Sequence, residues 1–400
     1  MSSACDGLSA PSPDLLHTPV GVAAVLGAID VESTERGIRW HRLPERSRRR
    51  IPTEFLRAVE AQPTGVRIAF ETAARRIALR LRATALVLLP TATADSWGAL
   101  DIVVDGTRFA TLPIDGGSVK RLDLAADRAT IQDGPDAVLE LPELAPGRKQ
   151  VELWLPYSVE VELLELTADA PIAPLREPAA RWVHYGSSIS HGFNAAHPLG
   201  TWPAIAARRA GVELRNLGFA GNAVLDQFVA RAIRDTPAEL ITLKVGINVV
   251  NFDGFRARTF VAAVDGFLDT IRDGHPDTPI ALVSPLHCPS VEDRPGPTIA
   301  FGPSGAIPMT TNGRPEDLER GRLGLGVIRS LLAGLVERRR AEDPRLASVD
   351  GLRLFGETDA AEHPLLDGAH PEPAAHELIG QRFADDVLGP LLAVAGMRAR

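Results

Sequence analysis

Trp182-Val183-His184-Tyr185-Gly186-Ser187-Ser188-Ile189-Ser190-His191-Gly192 is the stretch that decides the fold. An apolar run that ends in Gly-Ser-Ser and turns toward a helix is a place where one hydroxyl can be held exposed and aimed. Serine and glycine also mark ordinary turns, so the stretch gains its meaning from partners elsewhere. Asp367-Gly368-Ala369-His370-Pro371, near the other end of the chain, holds the two groups that would activate such a serine. Between them, Gly221-Asn222 and Gly246-Ile247-Asn248 each follow an apolar segment.

Around that stretch the pattern is strand–helix alternation. The runs Trp182-Val183-His184-Tyr185, Val212-Glu213-Leu214-Arg215-Asn216-Leu217, Leu240-Ile241-Thr242-Leu243-Lys244-Val245 and Ile280-Ala281-Leu282-Val283 read as strands. Helical patterns cover 201–210, 223–234, 255–273, 315–342 and 373–393. Alternation of this kind implies a parallel sheet covered on both faces. Ligands of such sheets bind outside the carboxyl ends of the strands. Ser188, Gly221 and Asn248 all fall at that edge.

Upstream, residues 21 to about 170 have a period of two. Val66-Arg67-Ile68-Ala69-Phe70, Ile77-Ala78-Leu79-Arg80-Leu81, Leu100-Asp101-Ile102-Val103-Val104 and Val151-Glu152-Leu153-Trp154-Leu155 each bury one strand face. Asp105-Gly106 reads as a hairpin turn, and Gly116-Gly117 and Pro146-Gly147 punctuate the rest. Short strands with frequent turns predict an all-β sandwich, jelly-roll-like, over 21–175. The proline-bearing stretch 168–178 is the expected boundary, with an α/β domain over 180–395 and a flexible N-terminus over 1–20. The Pro/Gly-rich segment 285–315 has no period and predicts a long loop covering the substrate.

Four hundred residues exceed what one core usually serves, which agrees with two domains. A net charge of -8 is dispersed and argues against a nucleic-acid surface. The basic cluster Arg46, Arg48, Arg49 and Arg50 reads as a solvated loop. Cys5 and Cys288 make no disulfide framework, and Cys288, after His287, reads as a half-buried thiol rather than a nucleophile. The first twenty residues lack a secretory pattern, and no apolar run reaches bilayer-spanning length. The chain therefore reads as soluble and cytoplasmic, with no membrane partner. Arginine far outnumbers lysine, a bias of GC-rich bacterial genomes with no functional weight.

A serine hydroxyl needs a base within hydrogen-bond reach. His370 is the candidate, and Asp367, three residues earlier, can fold back onto its Nδ1–H and fix the tautomer. Asp-x-x-His could also be a helix start, with Asp367 as cap and Pro371 in the first turn. An oxyanion would be met by the Ser188 N–H, by Gly221, where glycine allows close backbone approach, and by the Asn248 amide. Gly218 is an alternative to Gly221, and Ser187 and Ser190 are weaker nucleophile candidates. Asp359, Glu362 and His363 read as a solvated loop rather than metal ligands, and neither metal nor cofactor is expected.

Together the serine block, Asn216-Leu217-Gly218-Phe219-Ala220-Gly221-Asn222, Gly246-Ile247-Asn248 and Asp-x-x-His-Pro resemble the SGNH (GDSL-type) hydrolases over roughly 180–395. That resemblance implies a flavodoxin-like three-layer α/β/α fold with a parallel sheet. It also implies Ser188 as nucleophile, Asp367 and His370 as its base pair, and Ser188, Gly221 and Asn248 as oxyanion donors. The chain departs from the family at Ser187, where an Asp is usual, and at Asn248-Val249, where the family has Asn-Asp. Both changes touch substrate positioning, not the triad.

Three functions compete on this evidence. The leading one is a serine esterase that hydrolyses a small-molecule acyl ester through an acyl-enzyme. Its rival is an acyltransferase that passes the acyl group to an alcohol of a larger natural-product or sugar acceptor. The third is an inactive carbohydrate-binding protein, with Trp40, Trp97 and Trp154 as a sugar platform; tryptophans in a β-domain more often sit in the core.

Overall fold

In a computed structural model of the protein, residues 16–17, 25–88, 94, 96–175, 180–299 and 308–397 are described. The expectations for 1–15 and 18–20, that for Cys5, and those for 176–178 of the boundary stretch and 300–307 of the long loop lie outside these residues.

The downstream half is built on five parallel strands, Ala180–Gly186, Val212–Gly218, Leu240–Lys244, Ile280–Val283 and Leu346–Val349. With the strands numbered in chain order, their order across the sheet is 2-1-3-4-5. The fifth strand escapes a sequence reading because Leu-Ala-Ser-Val is short and mostly exposed at the sheet edge. Alternate residues face opposite layers. Val183, Tyr185, Ile241 and Leu243 join the helices Gln227–Asp235, Ala257–Arg272 and Leu325–Arg339. Trp182, Leu214, Leu240 and Val283 join Trp202–Ala210 and Pro373–Phe383. Burying both faces of a sheet requires near-continuous apolar strands, and these have them.

Helix boundaries differ from the sequence reading where backbone geometry intervenes. The second helix begins at Gln227 rather than 223, because Leu225 has φ +65 and its N–H is held by the Tyr185 hydroxyl at 3.0 Å. The pattern over 315–342 yields a helix only from Leu325, after a separate turn at Pro315–Asp317 and a left-handed Gly321. The pattern over 373–393 is interrupted by a π-helical turn, Ala384–Leu388, just ahead of Pro390, which has no N–H for the regular ladder.

The upstream half is β-rich and holds an eight-stranded and a six-stranded sheet. All four predicted runs are strands, and Asp105 and Gly106, both at positive φ, form the hairpin turn between Ala99–Val104 and Thr107–Pro113. Pairing is mixed: Ile77–Val87 runs antiparallel to Val159–Ala168 but parallel to Ser118–Asp123. Phe70, Ile102 and Leu153 of one sheet and Leu79, Leu81 and Leu163 of the other share a single core. Trp40 and Trp154 are buried. Leu16–His17 pairs with the end of Val159–Ala168, so that piece of the expected free terminus is in a sheet. Ile172–Pro174, within the expected boundary, adds an edge strand beside Arg67–Thr72.

The basic cluster is only partly a loop: Glu45–Arg48 is helical, Arg49 and Arg50 follow in a turn, and Arg48 is paired to Asp30 and Arg46 to Asp235, ahead of a second helix, Glu54–Glu60. Leu43, Ile51, Leu56 and Val59 of this segment belong to the core of the downstream half. The two halves are therefore joined by shared packing.

Arg42 is the polar centre of that join. It is fully buried, and its guanidinium donates to the carbonyls of Asn216 and Gly218 at 3.1 and 2.6 Å, to Val59 O, and to Glu60 O at 3.3 Å. A buried acceptor left without its donor costs roughly 1–3 kcal/mol. Arg42→Ala strips several at once, so urea denaturation will show a loss of about 3 kcal/mol or more. A change below about 1 kcal/mol would show that the carbonyls find other donors.

Candidate active site

Three strand ends deliver the groups. Gly186 ends the first strand, and the chain turns at Ser187 into the single helical turn Ser188–His191, closed by Gly192 at φ +112. A Cβ on Gly186 would meet Ser190 Oγ at 2.2 Å, and one on Gly218 would meet His191 N at 2.5 Å. Only glycines let the turn sit this tightly on its sheet. Ser188 is 8% exposed, with its hydroxyl at the rim of a cleft.

His370 and Asp367 meet Ser188 there. His370 Nε2 lies 2.7 Å from Ser188 Oγ, and its Nδ1 lies 2.6 Å from Asp367 Oδ2. Asp367 Oδ1 accepts the N–H groups of Ala369 and His370 at 2.9 and 2.8 Å. Asp367 is thus not a cap of the following helix, which starts at Pro373 with Glu372 as N-cap. Partial burial alone would raise the Asp367 pKa, but the His370 contact and the two backbone N–H groups outweigh it and hold it at about 2.

The other expected groups converge on the same rim. Gly221 has φ +69, and a Cβ there would lie 2.8 Å from the Phe55 ring, so glycine is required twice over. Its N–H has no protein acceptor among the described residues. Asn248 Oδ1 accepts from Ala223 N–H at 3.0 Å, which leaves its amide NH2 to face the cleft. Ser188 N–H, at the first helical position, has no intrahelical acceptor either. Gly218, by contrast, spends its N–H on Asn216 Oδ1 at 2.8 Å and does not line the cleft. Ser190 is fully buried against His184 Nε2 at 2.8 Å, and Ser187 Oγ is buried without a partner. Neither hydroxyl reaches the cleft.

Sequence reasoning missed five contributors. Asn194, at φ +66, donates to Glu372 Oε1 at 3.1 Å and lies 3.5 Å from Asp367 Oδ2. Phe193 stands beside the His370 ring, centroids 5.3 Å apart, and its carbonyl accepts from His376 Nε2 at 2.8 Å. Phe55, Leu88 and Leu124 bring the upstream half into the wall. Only the left-handed Asn in Gly-Phe-Asn carried any sequence signal; the others depend on tertiary placement.

The cleft has a volume of about 850 Å³. Thr298, Ile299, Pro308 and Met309 give it a wall from the 285–315 segment, whose residues 300–307 lie outside the described set. Cys288 is fully rather than half buried, its thiol donating to Gly368 O at 3.3 Å, and burial pushes its pKa up to about 11. Asp359 belongs to the helix Glu357–Glu362 and pairs with Arg382, which replaces the expected loop. Among the described residues no cluster of three metal-ligating side chains occurs, and no helix is long and apolar enough to cross a membrane.

Because the Asp367 carboxyl has its pKa lowered in the folded chain, it stabilises the fold above the unfolded value near 4. That contribution is lost as pH falls toward about 2. Acid titration of thermal stability will therefore fall more steeply between pH 4 and 2 in the wild type than in Asp367→Asn. Parallel curves would remove Asp367 as the cause.

Comparison with known proteins agrees with this picture. Residues 180–290 match the GDSL-like Lipase/Acylhydrolase family, and residues 24–163 match the SsfX3 N-terminal domain. The salicylyl-acyltransferase SsfX3 from a tetracycline biosynthetic pathway is 28% identical, with a TM-score of 0.78 over 94% of this chain and 98% of that one. A protein described as a GDSL-like lipase from Bacteroides ovatus shares the fold at 21% identity, TM-score 0.68, covering 96% of this chain and 99% of its own. A family two carbohydrate esterase from Cellvibrio japonicus does so at 13% and 0.56, covering 96% and 98%. No curated protein matches the chain. The downstream half is thus similar over 180–290 to GDSL-like lipases/acylhydrolases, and the upstream half over 24–163 to the SsfX3 N-terminal domain.

Proposed function

We propose that the protein cleaves an acyl ester through an acyl-enzyme on Ser188, with His370 as general base and Asp367 as its orienting carboxylate. The observation that carries this reading is the continuous contact Asp367–His370–Ser188, at 2.6 and 2.7 Å. Ser188 Oγ attacks the ester carbonyl as His370 Nε2 takes its proton. The same imidazolium then protonates the leaving alcohol. Asp367 stays ionised throughout, as its low pKa requires. The oxyanion is met by Ser188 N–H, Gly221 N–H and the Asn248 amide. These donors are fixed before substrate arrives, so they cost no reorganisation during the reaction. Water or an alcohol, activated by the same imidazole, then releases the acyl group. In this reading the downstream half is a flavodoxin-like three-layer domain, supported by the strand order 2-1-3-4-5. The upstream half is a sandwich, supported by two sheets sharing one core.

A second reading, transfer to a larger alcohol rather than to water, is favoured by the size and lining of the cleft. Phe193, Phe252, Ile299, Leu366 and Leu124 are 36–70% exposed, and all five line it. A small acetate ester would leave most of that surface wet, whereas a bulky apolar acceptor would cover it. The full-length similarity to a salicylyl-acyltransferase points the same way.

Ser188→Ala will lower kcat on an activated acetate ester by at least ~10³-fold, and Asn248→Ala by ~10²–10³-fold at nearly constant KM. Full activity in Ser188→Ala would refute the acyl-enzyme. Partitioning of one acyl donor between water and a panel of bulky alcohols separates the two readings. Hydrolysis alone with every acceptor would eliminate transfer.

A further inference from the structure

The charge census of the cleft is one-sided. Among the described residues its lining contains the carboxylates of Asp367 and Glu372 and no lysine or arginine. Asp367 is committed to His370 and two backbone N–H groups. Glu372 is not so committed: Oε1 accepts from Asn194 Nδ2 at 3.1 Å, and no ion pair to it occurs among the described residues. As N-cap of Pro373–Phe383, Glu372 gains from the helix dipole, and a carboxylate turned to solvent would gain the same. Its tie to Asn194 instead holds it in the cleft wall, two residues beyond His370.

Three phenylalanine rings, Phe55, Phe193 and Phe252, line the same space. Aromatic faces attract cations and are indifferent or unfavourable to anions. Lining one cleft, the carboxylate and the rings both favour a positive charge partly removed from water, and away from the oxyanion donors no cationic side chain among the described residues balances a negative one. We propose that the ester or acceptor alcohol handled here carries a basic amine or quaternary ammonium group, with Glu372 as its counter-charge and the phenylalanines as its apolar cage. This deepens the ester-cleaving reading and rests on it for the identity of the reacting bond. The recognition itself needs no chemistry at Ser188. The same census disfavours polyanionic donors bound within the cleft.

The test is equilibrium binding of three matched esters to the Ser188→Ala protein, which stops turnover. The phenylbutyrate esters of choline, of 3,3-dimethylbutanol and of 4-hydroxybutyrate present cationic, neutral and anionic ends of similar shape. Calorimetry will show the choline ester binding about fivefold or more tightly than its neutral isostere, and the anionic ester binding weakest. In Ser188→Ala/Glu372→Gln the cation preference will fall at least threefold. Should that variant not fold, Phe252→Leu, at a 58% exposed ring, reads the same ratio and will lower it too. Equal binding of the cationic and neutral esters, tighter binding of the anionic one, or a preference unchanged in the variants would overturn the proposal. None of these outcomes depends on acyl-enzyme formation, so failure of the catalytic reading would be seen separately, as unimpaired turnover in Ser188→Ala.

Discussion

A 2.7 Å contact between Ser188 Oγ and His370 Nε2 joins parts of the chain 182 residues apart. Most of the downstream architecture serves to make it. The sheet brings the ends of its first three strands side by side, so Ser188, Gly221 and Asn248 emerge at one rim. The Asp367–His370 turn then closes over them, fixed by two backbone N–H groups on one carboxylate oxygen. A displacement of about 1 Å in such an arrangement can cost on the order of 10²-fold in rate. The rigidity around the contact is therefore as informative as the contact itself.

Much of that rigidity comes from the upstream half. Arg42 holds the carbonyl of Gly218, and the His191 ring lies between that carbonyl, at 2.9 Å, and Tyr157 O, at 2.6 Å. Thr64 Oγ donates to His191 O at 2.6 Å, and Asn216 Nδ2 donates to Ser190 O at 2.8 Å. The helical turn that carries Ser188 is thus fastened to residues 42, 64 and 157 of the β-rich half. The same half sends Phe55 against Gly221 and lends Leu88 and Leu124 to the cleft. An accessory module could be removed without consequence to the rim. This one is part of its frame.

Legibility in the sequence followed the range of the interactions. Strands with a buried face read well, because burial leaves a period of two or a continuous apolar run; the short Leu346–Val349 at the sheet edge did not. The rim groups were legible because glycine, serine and asparagine at strand ends carry their own signal. Helix starts read poorly, since Leu225 takes positive φ with its N–H held by Tyr185, 40 residues away. The helix Glu45–Arg48 was hidden by a run of arginines whose partners are Asp30 and, far off in sequence, Asp235. Arg42 left no trace at all, because a buried arginine satisfied by carbonyls looks like any surface arginine until the fold is known. Glu372 and the phenylalanines of the cleft were invisible for the same reason.

The most direct measurement is peptide mass spectrometry of the protein after brief incubation with an activated ester or a fluorophosphonate. A single adduct on the peptide containing Ser188, absent from His370→Ala at the same exposure, is the predicted result. An adduct on another residue, or equal labelling without His370, would contradict the serine–imidazole couple on which the catalytic reading stands.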